Sequence, residues 1–557
     1  MPEPRKLKNM SSFVKTFLFA LSCFLLQSEV SKSQQWLWAD HIGGIEYDGA
    51  TGTTDTNGNF YIAGTFMGSS CNFLSLTLSA HGNNGLFLAK YDNAGSESWV
   101  KQFDINPFPS NCYDGVGDII VDDMGCVYIT GTFYSSAQFG SYILTANNGD
   151  MFLAKFSPSG SCMWAKKAGS PAQDWGTGLA VDSIYNVYVC GKNPETAFFD
   201  SISVNPGGFM AKYDSTGQIK WAKQSISFST LYGTPDVNLT CMKVVNNNLL
   251  ACGWECNTTF IIDTMTVNHP GQYGHILCCY DLSGSIKWVR EGLSPAAYSG
   301  VNLTTDKPGN IFITGEFMDS INFDGTTLFV SGTNHDYFIT KYDKSGGLIW
   351  SHSIHGGLPD FIGSIASDTI GNFYVSGGFT GIGNFGPDTL ISESSRDMFL
   401  ARYSPEGNCY GATHFGNAEG LEVGLDNVSR PIVVGLFSGT IQIGYNTLTS
   451  YGNEDIFITK SDEIRGIGET KKTASNQLLI YANPNEGKCT VKFPDEFLNE
   501  KHLNLSIYDS QGKLIQSVPV DNVEGKVSLN IQAEAKGIYN VILTNGRKNY
   551  SGKIVFN

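Results

Sequence analysis

The sequence predicts an all-β protein: a seven-bladed β-propeller closed by an N-terminal strand, followed by a small Ig-like β-sandwich. Three observations predict it. A glycine-anchored strand phrase returns seven times at a spacing near 62 residues. A hairpin phrase accompanies it, six times complete and once truncated. Beyond residue 477 a separate run of short alternating strands begins. A supersecondary unit that recurs at a fixed period means an array in which neighbouring copies bury one another's faces.

The hairpin phrase is clearest in Asp150-Met-Phe-Leu-Ala-Lys-Phe-Ser-Pro-Ser-Gly-Ser-Cys-Met-Trp164. Leu86 to Trp99, Phe209 to Trp221, Ile276 to Trp288, Tyr337 to Trp350 and Met398 to Tyr410 repeat it. Each reads as a strand, a tight turn at Asp-x-x-Gly whose glycine supplies φ > 0, and a second strand ending in an aromatic. The strand phrase precedes each hairpin, as in Gly58 to Phe66, Gly125 to Phe133 and Gly309 to Phe317. Its anchors are Gly64, Gly131, Gly191, Gly253, Gly315, Gly377 and Gly435, separated by 67, 60, 62, 62, 62 and 58 residues. That period leaves room for about four short strands per copy, the size of one propeller blade. It exceeds the ~40–45 residues of WD40 and the ~50 of kelch repeats.

Closure follows from a deficit. The last hairpin, Asp455 to Lys460, runs into Ser461-Asp-Glu-Ile-Arg and never reaches its tryptophan. The missing strand stands at the other end, where Gln35-Trp-Leu-Trp-Ala-Asp40 matches Met163 to Lys166 and Lys220 to Lys223. An N-terminal strand donated to the final blade removes the exposed sheet edges of an open array.

In chain order, residues 1–33 read as an export signal: Arg5, Lys6, Lys8 and Lys15 precede the apolar run Phe17 to Leu26, with small residues at Ser31-Lys32-Ser33. Ten apolar residues are too few to span a bilayer. Met10 is an alternative start, and the apolar run continues past Cys23, against a lipoprotein site. Cleavage removes five positive and two negative charges, leaving the exported chain more acidic than the −16 of the whole sequence. Acidity without a basic tract argues against a nucleic acid or an anionic membrane surface as partner. Residues 34–460 form the array, 461–476 lose apolar alternation and read as a linker, and 477–557 carry seven short strands, enough for a small sandwich.

Two resemblances follow. The phrases Asp-x-x-Gly-Asn-x-Tyr-Ile-x-Gly and Phe-Leu-Ala-Lys-Tyr-Asp-x-x-Gly-x-x-x-Trp resemble the SBBP β-propeller repeat of bacterial exported proteins, over roughly residues 36–460. The tail is similar to the type A sorting domain of the type IX secretion system of Bacteroidetes. Its matching residues are Asn483, Pro484, Asn485 and Gly487, then Asp509 and Gly512, Gly537 with Tyr539, and Lys553; Ala482 stands where that family usually has proline. The resemblance implies export, outer-membrane passage by the type IX machinery, removal of the tail by a sortase-like peptidase, and a secreted or surface-attached product.

Candidate sites are few. An acid recurs in the loop leading into each blade, at Asp48, Asp114, Asp174, Asp236, Asp360 and Glu419, with Ser299 in the remaining copy. Six carboxylates near the axis of a ring would attract a cation or amine; the competing reading is that each accepts backbone N–H groups and shapes a turn. The Lys90, Lys155, Lys212, Lys341, Arg402 and Lys460 series reads as charges paired within their own blades or lying along the edge. Asp-x-x-Gly lacks the alternating oxygen ligands of a calcium loop. Cys252 to Cys256 and Cys278-Cys279 have no known zinc spacing, and no metal or cofactor is expected. Cys190 and Cys252 fall at equivalent strand positions. The histidines are scattered, with His352 and His355 in one loop region.

No nucleophile elbow, His-Glu-x-x-His or phosphate loop occurs, so no catalytic residue is assigned. The longest lead-in loop, Gln102 to Gly115, offers Phe103, Phe108 and Tyr113 as contacts for a glycan or peptide. The expected function is an exported, non-catalytic propeller that binds a glycan, surface protein or matrix polymer. The alternatives are a polysaccharide hydrolase or lyase, a quinoprotein-like enzyme (whose tryptophan-docking repeat has one more residue between Asp and Gly), and a scaffold for other surface proteins.

Overall fold

The computed structural model describes residues 36–80, 84–106, 115–228, 238–256, 259–263, 265–268, 273–297, 301–330, 335–354, 358–464, 478–481, 487–493, 497, 503–509, 513–520, 525–532, 535–545 and 549–556. The chain divides into two compact units, residues 1–467 and 468–557. The export-signal expectation for 1–33 and all but the first residues of the expected linker lie outside the described residues.

Each copy of the first unit builds a four-stranded antiparallel ladder. In the first, Asp48–Thr54 pairs with Phe60–Met67, which pairs with Asn84–Tyr91, which pairs with Glu97–Asn106. The order recurs in Val116–Val121, Val127–Phe139, Asp150–Phe156 and Cys162–Ala168. It recurs again through the ladders begun by Trp175–Val181, Asn238–Val245, Asn302–Thr305 and Leu358–Ser367. The seventh has only three strands of its own: Ala418–Leu425, Pro431–Phe437 and Asp455–Ser461. Its fourth is Trp36–Gly44, with Trp38 opposite Lys460 and His41 opposite Phe457.

Sequence pattern and burial agree strand by strand. The two middle strands of a ladder are covered on both faces by neighbouring ladders, so Phe60–Met67 and Asp150–Phe156 are buried along nearly their whole length and read as continuous apolar runs. The fourth strands are half exposed and alternate, as in Cys162–Ala168. Cores form between copies: Tyr61 and Leu86 of the first pack with Phe139 and Phe152 of the second, and Phe60 and Phe87 pack with Ile432 and Ile456 of the seventh.

The period allowed for four strands; most copies hold six, and in the second the strand Val127–Phe139 runs on into the extra hairpin. A short hairpin is inserted between the second and third strands, for example Ser70–Asn72 with Thr77–Ser79 and Ser320–Phe323 with Thr326–Phe329. Four of the seven hairpins add to the outer strand of the preceding copy, through Gly44 opposite Cys71, Asp104 opposite Gln138, Ser227 opposite Ile261 and Gly292 opposite Phe323. These residues are the excess over a WD40 repeat. They cover an edge that would otherwise present unpaired N–H and C=O groups.

The innermost strands lie side by side in chain order, and the last, Ala418–Leu425, lies beside the first, Asp48–Thr54. Past the final ladder the chain stays packed as far as Ile464, which is buried against Tyr374 and whose carbonyl accepts from Arg402. Glu463 pairs with the same guanidinium. The first residues of the expected linker therefore belong to the body.

The second unit comprises two antiparallel sheets. One runs Leu479–Tyr481, Lys488–Lys492, Lys526–Asn530; the other Leu514–Val520, Leu503–Tyr508, Gly537–Thr544, Asn549–Phe556. Val491, Leu505, Val541 and Ile554 meet in one core. Among the described residues no helix is long and apolar enough to cross a membrane.

Candidate functional site

The most repeated residues are consumed by the junctions between copies. In the hairpin turns led by aspartate the carboxylate accepts backbone N–H groups two and four residues on, as Asp92 does from Ala94 and Ser96. In those led by Ser157 and Ser404 the hydroxyl accepts instead, which satisfies the turn locally. The glycine faces the tryptophan of the preceding copy: a Cβ on Gly160, Gly217 or Gly346 would come within about 3 Å of Trp99, Trp164 or Trp288. The same holds across the chain ends, where Gly95 lies against Trp38.

The lysine series completes the junction. Lys155, Lys212 and Lys341 donate to Ser215, Leu282 and Pro405, each the second residue of the next copy's turn. Lys460 donates to Asn93 O at 3.0 Å in the same way, 367 positions away. Lys212 and Lys460 also reach Asp182 and Asp426 of their own copies. Lys212 and Lys460 therefore pair within their own copy and reach the next copy's turn as well, whereas Arg402 pairs with Glu463 past the last ladder.

Of the lead-in acids, Asp48 and Asp174 are buried, and each accepts from the backbone N–H four residues earlier, at Gly44 (2.7 Å) and Ser170 (2.6 Å). Burial lifts Asp48 to about 8, with Asp455 adding to the rise, and Asp174 to about 7. Glu419 pairs with Arg396. None of these three lines the cavity described next. Phe103 is no loop contact: it lies in the strand Glu97–Asn106, buried against Phe139 and Phe156. Asp114, Asp236, Phe108 and Tyr113 lie outside the described residues, as does the side chain of Asp360. A second buried acid series went unnoticed in the sequence: Asp150, Asp336, Asp397 and Asp455 open the third strands. Its signal was the Asp just before the Phe-Leu-Ala-Lys phrase.

One cavity of about 360 Å³ is lined by residues of all seven innermost strands. The strand register singles out one column of this lining, the residue opposite the position before each anchor glycine. It reads Thr51, Asp118, Gly178, Cys241, Asn302, Ser364 and Glu422. Five of the seven line the cavity, joined by Lys243 and Thr304 two residues further on. Asp118 accepts from the N–H groups of Ile119 and Leu179 at 2.7 Å, and burial lifts its carboxyl to about 7. Glu422 rises to about 8 through burial, with Ser364 and Thr51 as hydrogen-bond partners and Asp118 adding repulsion. Burial also lowers Lys243, whose Nζ lies 3.5 Å from Thr304 Oγ1. The cavity thus offers two carboxyl groups held toward their protonated form, an amide, hydroxyls and the Lys243 Nζ.

A second cavity, of about 310 Å³, lies at the periphery between Trp350, His352, Asn384, Tyr403 and Cys409. His355 lies outside the described residues. Among those residues, no group of three or more His, Cys, Asp or Glu side chains is placed to hold a metal ion. In the tail, Gly487 has φ +87°, Asp509 accepts from Lys513 N, and the Tyr539 hydroxyl donates to Ala535 O. Gly537 and Lys553 lie in paired strands, while Asn483, Pro484, Asn485 and Gly512 lie outside the described residues.

Residues 479–557 match the secretion system C-terminal sorting domain, so the chain carries a type IX export tail. The chain is 25% identical over 523 residues to an uncharacterised WD repeat-containing protein of Acanthamoeba polyphaga mimivirus, covering 73% of this chain and 36% of the relative. It therefore spans about a third of that relative's length. Among solved structures it is similar to the Dos1 propeller, with TM-score 0.39, 12% identity, and coverage of 78% of this chain and 98% of the other. It is also similar to a Trypanosoma rangeli sialidase in complex with the inhibitor DANA, with TM-score 0.31, 8% identity, and coverage of 83% and 86%.

Proposed function

We propose that the chain is an exported, non-catalytic binding protein of the SBBP type. In this reading it is a seven-bladed propeller, closed by its N-terminal strand, that takes a glycan or the sugar end of a matrix polymer into its axial cavity. An Ig-like C-terminal sandwich delivers it to the cell surface and is recognised by the type IX machinery and a sortase-like peptidase.

The carrying observation is the axial column. Turn, tryptophan and lysine positions repeat because each junction needs the same chemistry; the column holds seven different residue types in seven copies. Positions freed from the folding requirement are where an asymmetric ligand is recognised. A polar cavity of about 360 Å³ is at the lower end for small-ligand sites. Its mixture of donors and acceptors suits hydroxyl-rich groups. The lead-in loop bearing Phe108 and Tyr113, and the acids Asp114, Asp236 and Asp360, are retained on sequence grounds as the flanking contact surface.

The test is a glycan array followed by calorimetry on the full chain, with Asn302→Ala and Glu422→Ala as probes and Tyr445→Ala, 98% exposed, as control. The reading expects at least a tenfold loss of affinity for the cavity variants and none for the control. Unchanged binding in both cavity variants removes it. One observation favours a second reading, a polysaccharide hydrolase or lyase: Asp118 and Glu422 hold raised carboxyls in one cavity, as acid–base chemistry requires. An Asp118→Asn chain that still binds but loses turnover would select it.

A further inference from the structure

The axial column contains a cysteine, and the register places a second cysteine directly across from it. Cys241 on Asn238–Val245 is the pairing partner of Cys252 on Asn248–Cys256. Directly opposed residues of an antiparallel pair have Cα atoms about 4.5 or 5.5 Å apart, according to the type of pair. Both values fall in the range of about 4.4–6.8 Å over which a disulfide forms. The Cys241 side chain packs against the buried cluster that holds Cys252. Cys252 is fully buried, whereas Cys241 is partly exposed and lines the axial cavity.

Neighbouring thiols are held elsewhere. Cys190, equivalent to Cys252 one copy earlier, has glycine across from it at Gly178 and donates to Leu239 O. Cys278 pairs with Ala251. Cys241 itself donates to Asn302 Oδ1 at 3.7 Å.

We propose that Cys241 and Cys252 are a redox pair that closes into a cross-strand disulfide facing the axial cavity. The inference that it closes in the native protein rests on the export reading, since exported chains meet an oxidising compartment. The oxidant is a disulfide, from a small thiol or a thiol oxidoreductase. The Cys241 thiolate attacks one of its sulfurs and expels a thiol. Cys252 then attacks the Cys241 sulfur of the mixed disulfide and expels the second thiol. Two electrons pass from the cysteine pair to the oxidant, and the two thiol protons end on its two released thiols. Closure removes the Cys241 S–H donor from Asn302 Oδ1, which keeps its bond from Leu303 N–H at 2.8 Å, so the redox state changes the hydrogen-bonding pattern that a ligand meets.

The chain supplies its own assay. Lys243 lies between the two cysteines, so trypsin separates them onto the peptides 224–243 and 244–287. Full-length protein treated with oxidised glutathione, alkylated and digested without reduction is expected to show these peptides joined, with fragmentation placing the bond at Cys252 and two fewer free thiols per chain. Cys190→Ser should leave the linkage intact. Oxidised protein in which both thiols remain alkylated, or in which Cys241 is joined to Cys190 or Cys278, overturns the proposal whatever the fate of the export reading. If the bridge forms in vitro but is absent from protein recovered outside the cell, the pairing stands and the claim that it closes in the native protein falls.

Discussion

Replacing Gly95 by alanine tests the junction between the two ends of the chain. Gly95 has φ +87°, where an L-residue costs about 1–2 kcal/mol. A Cβ there would also come within 2.5 Å of the Trp38 ring, an overpacking typically worth about 1–3 kcal/mol. The sum is about 2–5 kcal/mol. Gly325 provides the control, since its φ is +89° but no atom lies within 4 Å of its ideal Cβ. Gly325→Ala should therefore cost only the backbone term, about 1–2 kcal/mol. The difference between the variants isolates a contact made by a residue 57 positions away, on the strand that completes the last ladder. Urea unfolding of both, read from midpoints at a common m-value, gives the two costs. Trp38→Ala should then absorb most of the Gly95→Ala penalty, a coupling of at least about 1 kcal/mol in the double-mutant cycle. Equal costs for the two glycines, with no coupling to Trp38, would refute the closing junction.

Two further outcomes follow from the same structure. Asp48 is buried with its carboxyl lifted to about 8 from an ordinary 3.8, so the native state holds a proton that the unfolded chain loses above about pH 4. Its contribution is therefore intact below that pH and is lost as pH rises through 8. Asp48→Asn should leave stability near pH 4 unchanged and raise it at pH 7 by up to about 4 kcal/mol, an upper bound; a variant equally stable to wild type at both pH values removes the buried-acid account. Ending the chain at Ile467 should preserve the circular dichroism and unfolding midpoint of the first unit while abolishing export. A truncated chain still recovered outside the cell shows that the tail is not the delivery signal.

Much of this was legible in the residues. The repeat unit, its turns and the strand order came from periodicity, because the copies bury the same faces and the complete hairpins close on the same Asp- or Ser-x-x-Gly turn. The missing tryptophan strand at Asp455 to Lys460 pointed to Gln35 to Asp40, since a ladder without its outer strand leaves an edge. The tail's motifs were readable for a different reason: a recognition signal is written in local sequence. The inserted hairpins were not seen, because strands such as Ser70–Asn72 are three residues long and show too little alternation to separate from loop.

The candidate site escaped for a related cause. The acids that recur, Asp48 and Asp174 among them, are tied to backbone N–H groups. Asp118, Cys241, Asn302 and Glu422 share no residue type, so no motif search aligns them. Bulges at the first turns of several inner strands also shift their spacing, as between Val116 and Asp118 and between Leu239 and Cys241. The sequence by itself determined the unit and the number of its copies, since both are enforced by contacts within and between neighbours. Only tertiary structure decided which side chains meet around the axis and that Cys241 faces Cys252, because that convergence comes from strand register and the packing of distant copies, neither of which leaves a local pattern.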